Sequence, residues 1–385
     1  MNIGIAVKKE SYIKELSLFG MVLLLMLIRF WGLFKNAELP GWDTPSHFVA
    51  LSKMVEYLQD GRITGYLQEW LGGMPLFQFY APLWFMVVGF FWLLTFKLIP
   101  LLFLFRLAIF ITIFSVSVSF WYFLKSYFNR ETALWGIPLG AVFIFYPKIY
   151  SVFGIGAGAA IWAGLIASTA GLGLVLLWLA ALQNMRTHPA SISYFVLATL
   201  SFSALCLTHT LSLIAGLMFF IIYLLFNLRN KKIMISALIS SAWGSGLAAF
   251  WIIPFIINLQ LSSGEVRGAW YLTVNPFFLL FPLKIPYLQF GSLLLLVFAA
   301  YGLYLLLKDR KFMLPALAGG MALFFITRTQ FSLLFPEFTV HYQRFLPFIF
   351  IFILAAAAYA FYKLWLRWAV TAGRRKIYFI ILFSL

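Results

Sequence analysis

Residues 38–83 read ELPGWDTPSHFVALSKMVEYLQDGRITGYLQEWLGGMPLFQFYAPL and form the one long polar interval of the N-terminal half. Five of the chain's eleven acidic residues lie in it: Glu38, Asp43, Glu56, Asp60 and Glu69. Apolar runs flank it on both sides, Leu16–Phe34 before and residues 82–124 after. A hydrocarbon core takes about 20 consecutive apolar residues to cross. The interval therefore reads as a loop in water between segments in lipid.

Composition extends that reading to the whole chain. Of 385 residues, 64% are hydrophobic and 10% charged, and the mean hydropathy is +0.98. Soluble domains sit nearer 45–50% apolar. The expected fold class is all-α: a polytopic helical membrane protein of about 11 transmembrane helices, forming a single transmembrane domain over residues 1–385. A spanning barrel needs alternating strands of about 10 residues, and the sequence has none. The net charge of +17 does not call for nucleic acid as a partner. Its Lys and Arg cluster between apolar runs, as the positive-inside rule requires, and the partner they imply is membrane lipid.

Charge clusters orient the spans. Lys8, Lys9 and Lys14 keep the N-terminus in the cytoplasm of a multi-pass cell-membrane protein. Leu16–Phe34 crosses outward, with Arg29 near its outer end to snorkel. Residues 35–81 are then the first extracytoplasmic loop, carrying interfacial helices. Further outer loops fall at 258–286 and 327–344. Residues 82–124 fit two spans by length, yet the basic cluster Lys125–Arg130 requires an odd number of crossings. One half is then re-entrant or interfacial, or the cluster lies outside. Ile161–Leu182 returns, Ile192–Leu207 and Leu211–Phe226 make a hairpin turning at Thr208–Thr210, and Ile233–Ile257 crosses once. The chain stops inside an apolar run, Ile377–Leu385, which reads as a truncated C-terminus. The one cysteine, Cys206, excludes a disulfide framework and a cysteine metal site. No Asp or Glu falls inside an expected span, which argues against ion-coupled transport.

Within the first loop, Thr44-Pro45 reads as a helix start, with Thr as N-cap and Pro at the first helical position. Phe48, Leu51, Met54, Val55 and Leu58 recur at helical spacing, and Gly61 ends the run. The helix has one apolar stripe and should lie along the membrane surface. Asp43 and His47 stand at its start. A carboxylate there can serve as general base toward an acceptor hydroxyl or as a ligand to a hard divalent cation, Mg2+ or Mn2+. It can equally do no more than satisfy the free N–H groups of the helix start. Trp70 and Tyr80 lie among glycines and prolines, either as an interfacial aromatic belt or as a rim that stacks on a sugar. Several cations fall on the expected outer side against the positive-inside trend: Lys148, His209, Arg267, Lys284, Arg328, His341 and Arg344. A lipid-linked phosphate would partner them; so would Glu265 and Glu337. His209 can also be a helix cap. P-loop, HExxH and GxSxG motifs are absent.

The sequence Gly41-Trp42-Asp43-Thr44-Pro45-Ser46-His47, with Gly61, Trp70-Leu71-Gly72-Gly73-Met74-Pro75 and Phe79-Tyr80-Ala81-Pro82-Leu83, resembles a family of membrane proteins described as 6-pyruvoyl-tetrahydropterin-synthase-related. These in turn resemble the GT-C superfamily of integral membrane glycosyltransferases. The resemblance implies sugar transfer from a polyprenyl-phosphate-linked donor on the extracytoplasmic face. It implies Asp43, helped by His47, as the catalytic residue. Arg344, His341, His209 and Arg267 would bind the donor phosphate, and Trp70 and Tyr80 would form the substrate rim. On the same scaffold, a non-catalytic lipid-linked glycan binder, flippase or assembly partner is the alternative. Relatives carry an arginine and an acid in the second outer turn, where this chain reads SVFGIGAGAAIW (151–162).

Overall fold

The computed structural model describes residues 2–35, 38–68, 73–146, 153–259, 286–326 and 342–372. They form fifteen helices, a short 3-10 turn and one two-stranded hairpin. Helix α1 spans Asn2–Phe30 and α2 spans Gly32–Lys35. The first loop follows with α3, Thr44–Gln59.

The apolar stripe of α3 packs as its spacing predicts, with Leu51, Met54 and Val55 buried. The helix ends in a Schellman arrangement: Arg62 N–H donates to the Tyr57 carbonyl at 2.7 Å and Gly61 N–H to the Leu58 carbonyl at 3.2 Å. The start differs by one residue from the expected one. Asp43 is the N-cap and Thr44 is already helical. The Thr44 hydroxyl donates to the Ile161 carbonyl at 2.8 Å, so it is used between elements and not on its own helix. The second half of the loop is not an interfacial helix. Gly65–Leu67 (β1) pairs antiparallel with Met74–Leu76 (β2), because Pro75 and the glycines around it oppose helix continuation.

Helix α4 spans Leu83–Leu94 and α5 spans Leu101–Tyr127. Twelve residues rise about 18 Å, short of the ~30 Å core. Residues 82–124 thus hold one long helix and one short one. Helix α6 (Arg130–Ile144) is capped by the Asn129 side chain, which accepts from Thr132 N–H. The short α7 (Ala157–Ile161) precedes α8, Ile166–Thr187. The expected start of this span at Ile161 moves five residues because Gly164 sits at φ +66 and breaks the helix. Helices α9 (Ile192–Cys206) and α10 (Thr210–Phe226) form the expected hairpin.

Ile233–Ile257 is not one crossing. It is α11 (Lys231–Leu247) and α12 (Ala249–Asn258), bent by 76° at Ala248. The bend lets α12 fold over the first loop, where Trp251 Nε1 donates to the Phe77 carbonyl at 2.7 Å. Helices α13 (Pro286–Lys308), α14 (Met313–Ile326) and α15 (Leu346–Ala372) complete the bundle. Among the described residues three helices, α5, α8 and α15, are long and apolar enough to cross a membrane, four if the bent pair counts as one span.

Two apolar cores share α5. Its first half packs with α1, α3, α4 and the hairpin, and its second half with α6 and α8 to α15. Ion pairs pin one end of the bundle. Glu15 of α1, one residue before the expected first span, is buried, and Arg130 holds it with two charge-assisted bonds of 2.7 and 2.5 Å. Pairing of this kind is what lets a carboxylate sit in an apolar setting. Asp309 bonds Tyr359 and Lys363 nearby in the chain order of α13 to α15.

Candidate functional site

The site is built where the first loop meets the turn between α7 and α8. Trp42 N–H donates to the Trp162 carbonyl at 2.8 Å, and Thr44 adds its bond to Ile161 one residue earlier. The two strands of backbone come so close that a Cβ on Gly41 would lie 2.3 Å from the Trp162 oxygen. A Cβ on Gly164 would lie 2.5 Å from Cβ of Asp43 and 3.0 Å from Cδ2 of His47. Gly164 therefore cradles both residues, and its positive φ aims the turn at them. The strap Gly41–His47 is fixed at three points, which is how a residue on a loop gains a defined position.

Asp43 occupies the N-cap of α3, yet its carboxylate makes no capping hydrogen bond. It is exposed, so it stays open toward solvent or a substrate. His47, half-buried on the first turn, faces the rings of Tyr80 at 5.7 Å and Phe85 at 5.8 Å. Burial lowers its pKa, opposed by the Asp43 charge and a hydrogen bond to the Gly164 backbone. A neutral imidazole beside a carboxylate is a competent proton acceptor.

Tyr80 links this end to the cations. Burial pushes its phenol well up, the Arg344 charge pulls it back, and Asp43 raises it further. It therefore lies within the field of both charges. Arg344 sits in the 3-10 turn Tyr342–Phe345 that leads into α15. Its position is secured by Phe345, which is fully buried against Phe324.

His209 is the N-cap of α10: its Nδ1 accepts from Ser212 N–H at 3.2 Å and lies 2.9 Å from Ser212 Oγ. Burial, followed by the Arg344 charge, pushes its pKa down to about 3. A neutral ring that accepts at Nδ1 carries its proton on Nε2, leaving one N–H donor for a ligand. The helix-cap reading of His209 holds, and Nδ1 is the nitrogen that caps.

The structure also holds an apolar groove of about 640 Å³. It lies between α4, α5, α8 and α9, and its lining includes Leu83, Phe90, Phe91, Leu94 and Thr208. Leu83 N–H donates to the Leu207 carbonyl at 2.9 Å, which ties the end of the first loop to the α9–α10 turn. Tyr80 and His209 are near in sequence to the lining residues Leu83 and Thr208.

Of the expected site residues, Asp43, His47, Tyr80, His209 and Arg344 come together. Trp70, Arg267 and His341 lie outside the described residues, as do Lys148, Lys284 and Arg328. Among the described residues no group of three His, Cys, Asp or Glu side chains is arranged to hold a metal ion. A hard divalent cation takes about six oxygen ligands, which Asp43 and His47 do not supply, so no step is derived through Mg2+ or Mn2+. Sequence reasoning missed Gly164, the bond from Thr44 to Ile161 and the groove. The signal for the first was a lone glycine at the start of an expected span.

The fold and the site describe a helical membrane protein whose polar residues gather around the first loop. The chain belongs to the family described as 6-pyruvoyl-tetrahydropterin synthase related domain, a membrane protein family, whose model matches residues 77–385. That match takes in Tyr80, His209 and Arg344 and begins after Asp43 and His47. No curated protein matches the chain.

Proposed function

We propose that the protein is a membrane glycosyltransferase of GT-C type, with about 11 spans and its N-terminus in the cytoplasm. It transfers a sugar from a polyprenyl-phosphate-linked donor to an acceptor on the extracytoplasmic face. The observation that supports this reading is the gathering of a carboxylate–imidazole pair, a guanidinium and a second imidazole in one electrostatic cluster, with an apolar groove lined by Leu83 and Thr208, close in sequence to Tyr80 and His209. A donor of this class has corresponding parts: sugar, phosphate, long apolar chain.

In this reading the chain lies in the groove, and Arg344 and the Nε2–H of His209 hold the phosphate. Arg binds phosphate through two parallel bonds. The acceptor hydroxyl attacks the anomeric carbon on the Asp43 side. The bond from that carbon to the phosphate oxygen breaks, and the electron pair leaves with polyprenyl phosphate. Asp43 takes the hydroxyl proton, and His47 holds the carboxylate's surroundings in register. Attack opposite the leaving group inverts the anomeric centre.

A second reading keeps the donor site without turnover, as in a lipid-linked glycan binder, flippase or assembly partner. It is favoured by the turn 151–162, which offers no second acid. The two separate in proteoliposomes given polyprenyl-phosphate hexoses and a glycan acceptor. Sugar transfer with release of polyprenyl phosphate supports the first. Saturable binding without release supports the second, and absence of binding rejects both.

A further inference from the structure

A second pocket, of about 260 Å³, lies behind the strap. Its walls include Arg29, Phe30, Phe145, Tyr146, Gly158 and Trp162. We propose that this pocket binds the phosphate of a lipid headgroup from the leaflet on the Asp43 side, through Arg29.

The charge in the pocket is one-sided. Among the described residues Arg29 is the one charged residue lining it, and no carboxylate pairs with it. It lies 5.9 Å from the centre of the Phe30 ring, and that ring stacks on Phe145 at 5.8 Å. Arg29 is exposed, and a guanidinium presents its N–H groups as a fork, the geometry that phosphate fits. The flanking residues beside α1 and on α2 are of the kinds found at a membrane interface. Exposed Trp31 lies just beyond, with Lys35 at 6.0 Å from its ring. Aromatic and cationic residues of this kind collect at headgroup level. Below it α1 exposes Leu24, Leu27 and Ile28, a face for acyl chains. The volume suits a small headgroup and not a chain, which the larger groove suits.

Occupancy would act on the candidate site. Ile161 and Trp162, which form one wall, carry the carbonyls that hold Thr44 and Trp42. A ligand against that wall restrains the strap that carries Asp43. The proposal does not depend on sugar transfer.

The test uses the full chain, delipidated in detergent, with short-chain phosphatidic acid, short-chain phosphatidylcholine or inorganic phosphate. Phosphatidic acid should raise the thermal midpoint by several degrees, and phosphatidylcholine should not. Arg29→Gln should weaken the apparent affinity about tenfold, the effect of losing a charge-assisted phosphate contact, and Arg29→Lys should recover part of it. If inorganic phosphate gives the same Arg29-dependent shift, the anion site stands with free phosphate as its source. Equal shifts from both lipids, or an unchanged Arg29→Gln response, overturn it. Should Arg29→Gln not fold, hydrogen exchange on the unmodified protein decides. Amides of residues 41–44 and 158–162 should slow with phosphatidic acid alone, and no slowing overturns the proposal.

Discussion

His209 is the residue at which two roles can be separated. Its Nδ1 caps α10, and its Nε2–H is assigned to the donor phosphate. Asparagine is as good an N-cap. His209→Asn should therefore hold stability within about 1 kcal/mol while raising the donor Kd about tenfold; His209→Ala should lose the cap as well. Thermal unfolding and donor titration of both variants check this. The same ring sets a pH dependence. Its folded pKa, about 3, lies below the ordinary 6.5, so below pH ~6.5 the unfolded chain takes up a proton that the folded chain refuses. Stability should be full above that pH and fall as the pH drops toward 3. His47, whose pKa is also lowered, adds in the same direction. Unfolding midpoints from pH 8 to pH 5 measure the slope, which His209→Asn should reduce.

At the scale of elements, the turn between α7 and α8 governs the site. Gly164→Ala would put a methyl group 2.5 Å from Asp43 Cβ at a backbone φ of +66. The conformational cost alone is about 1–2 kcal/mol. The variant should fold with a lowered midpoint and lose more activity than stability, because the methyl group pushes on the residue that acts. Thermal unfolding and transfer assays on one preparation compare the two losses. What was legible here follows from range. Helix α3, its apolar stripe and its glycine end were readable because i, i+3, i+4 spacing and a C-terminal glycine are local signals. The β1–β2 hairpin was not, since Gly65, Gly73 and Pro75 mark only a break. The 76° bend at Ala248 was equally hidden. It goes with the docking of Trp251 on Phe77, 174 positions apart.

At the scale of the molecule, composition alone declared a helical membrane protein. The site was half legible: Asp43, His47, Tyr80, His209 and Arg344 could be named one by one, but their convergence is set by tertiary packing. The positive-inside pattern assigns the two ends of the bundle to opposite sides. Single cysteines at Glu38 and Lys308, in a chain whose native Cys206 is buried, should react with an impermeant maleimide from opposite faces of sealed membranes. Labelling of both from one side contradicts the topology.

The account rests most heavily on Asp43, a carboxylate on a fixed strap that does not cap its own helix. Asp43→Asn keeps the size and removes the charge. In proteoliposomes supplied with a polyprenyl-phosphate hexose and acceptor, the expected result is a loss of sugar transfer of at least ~10²-fold, the usual scale for a general base. Donor binding and the unfolding midpoint should stay near those of the unmodified protein. Transfer retained at the unmodified rate would contradict the account.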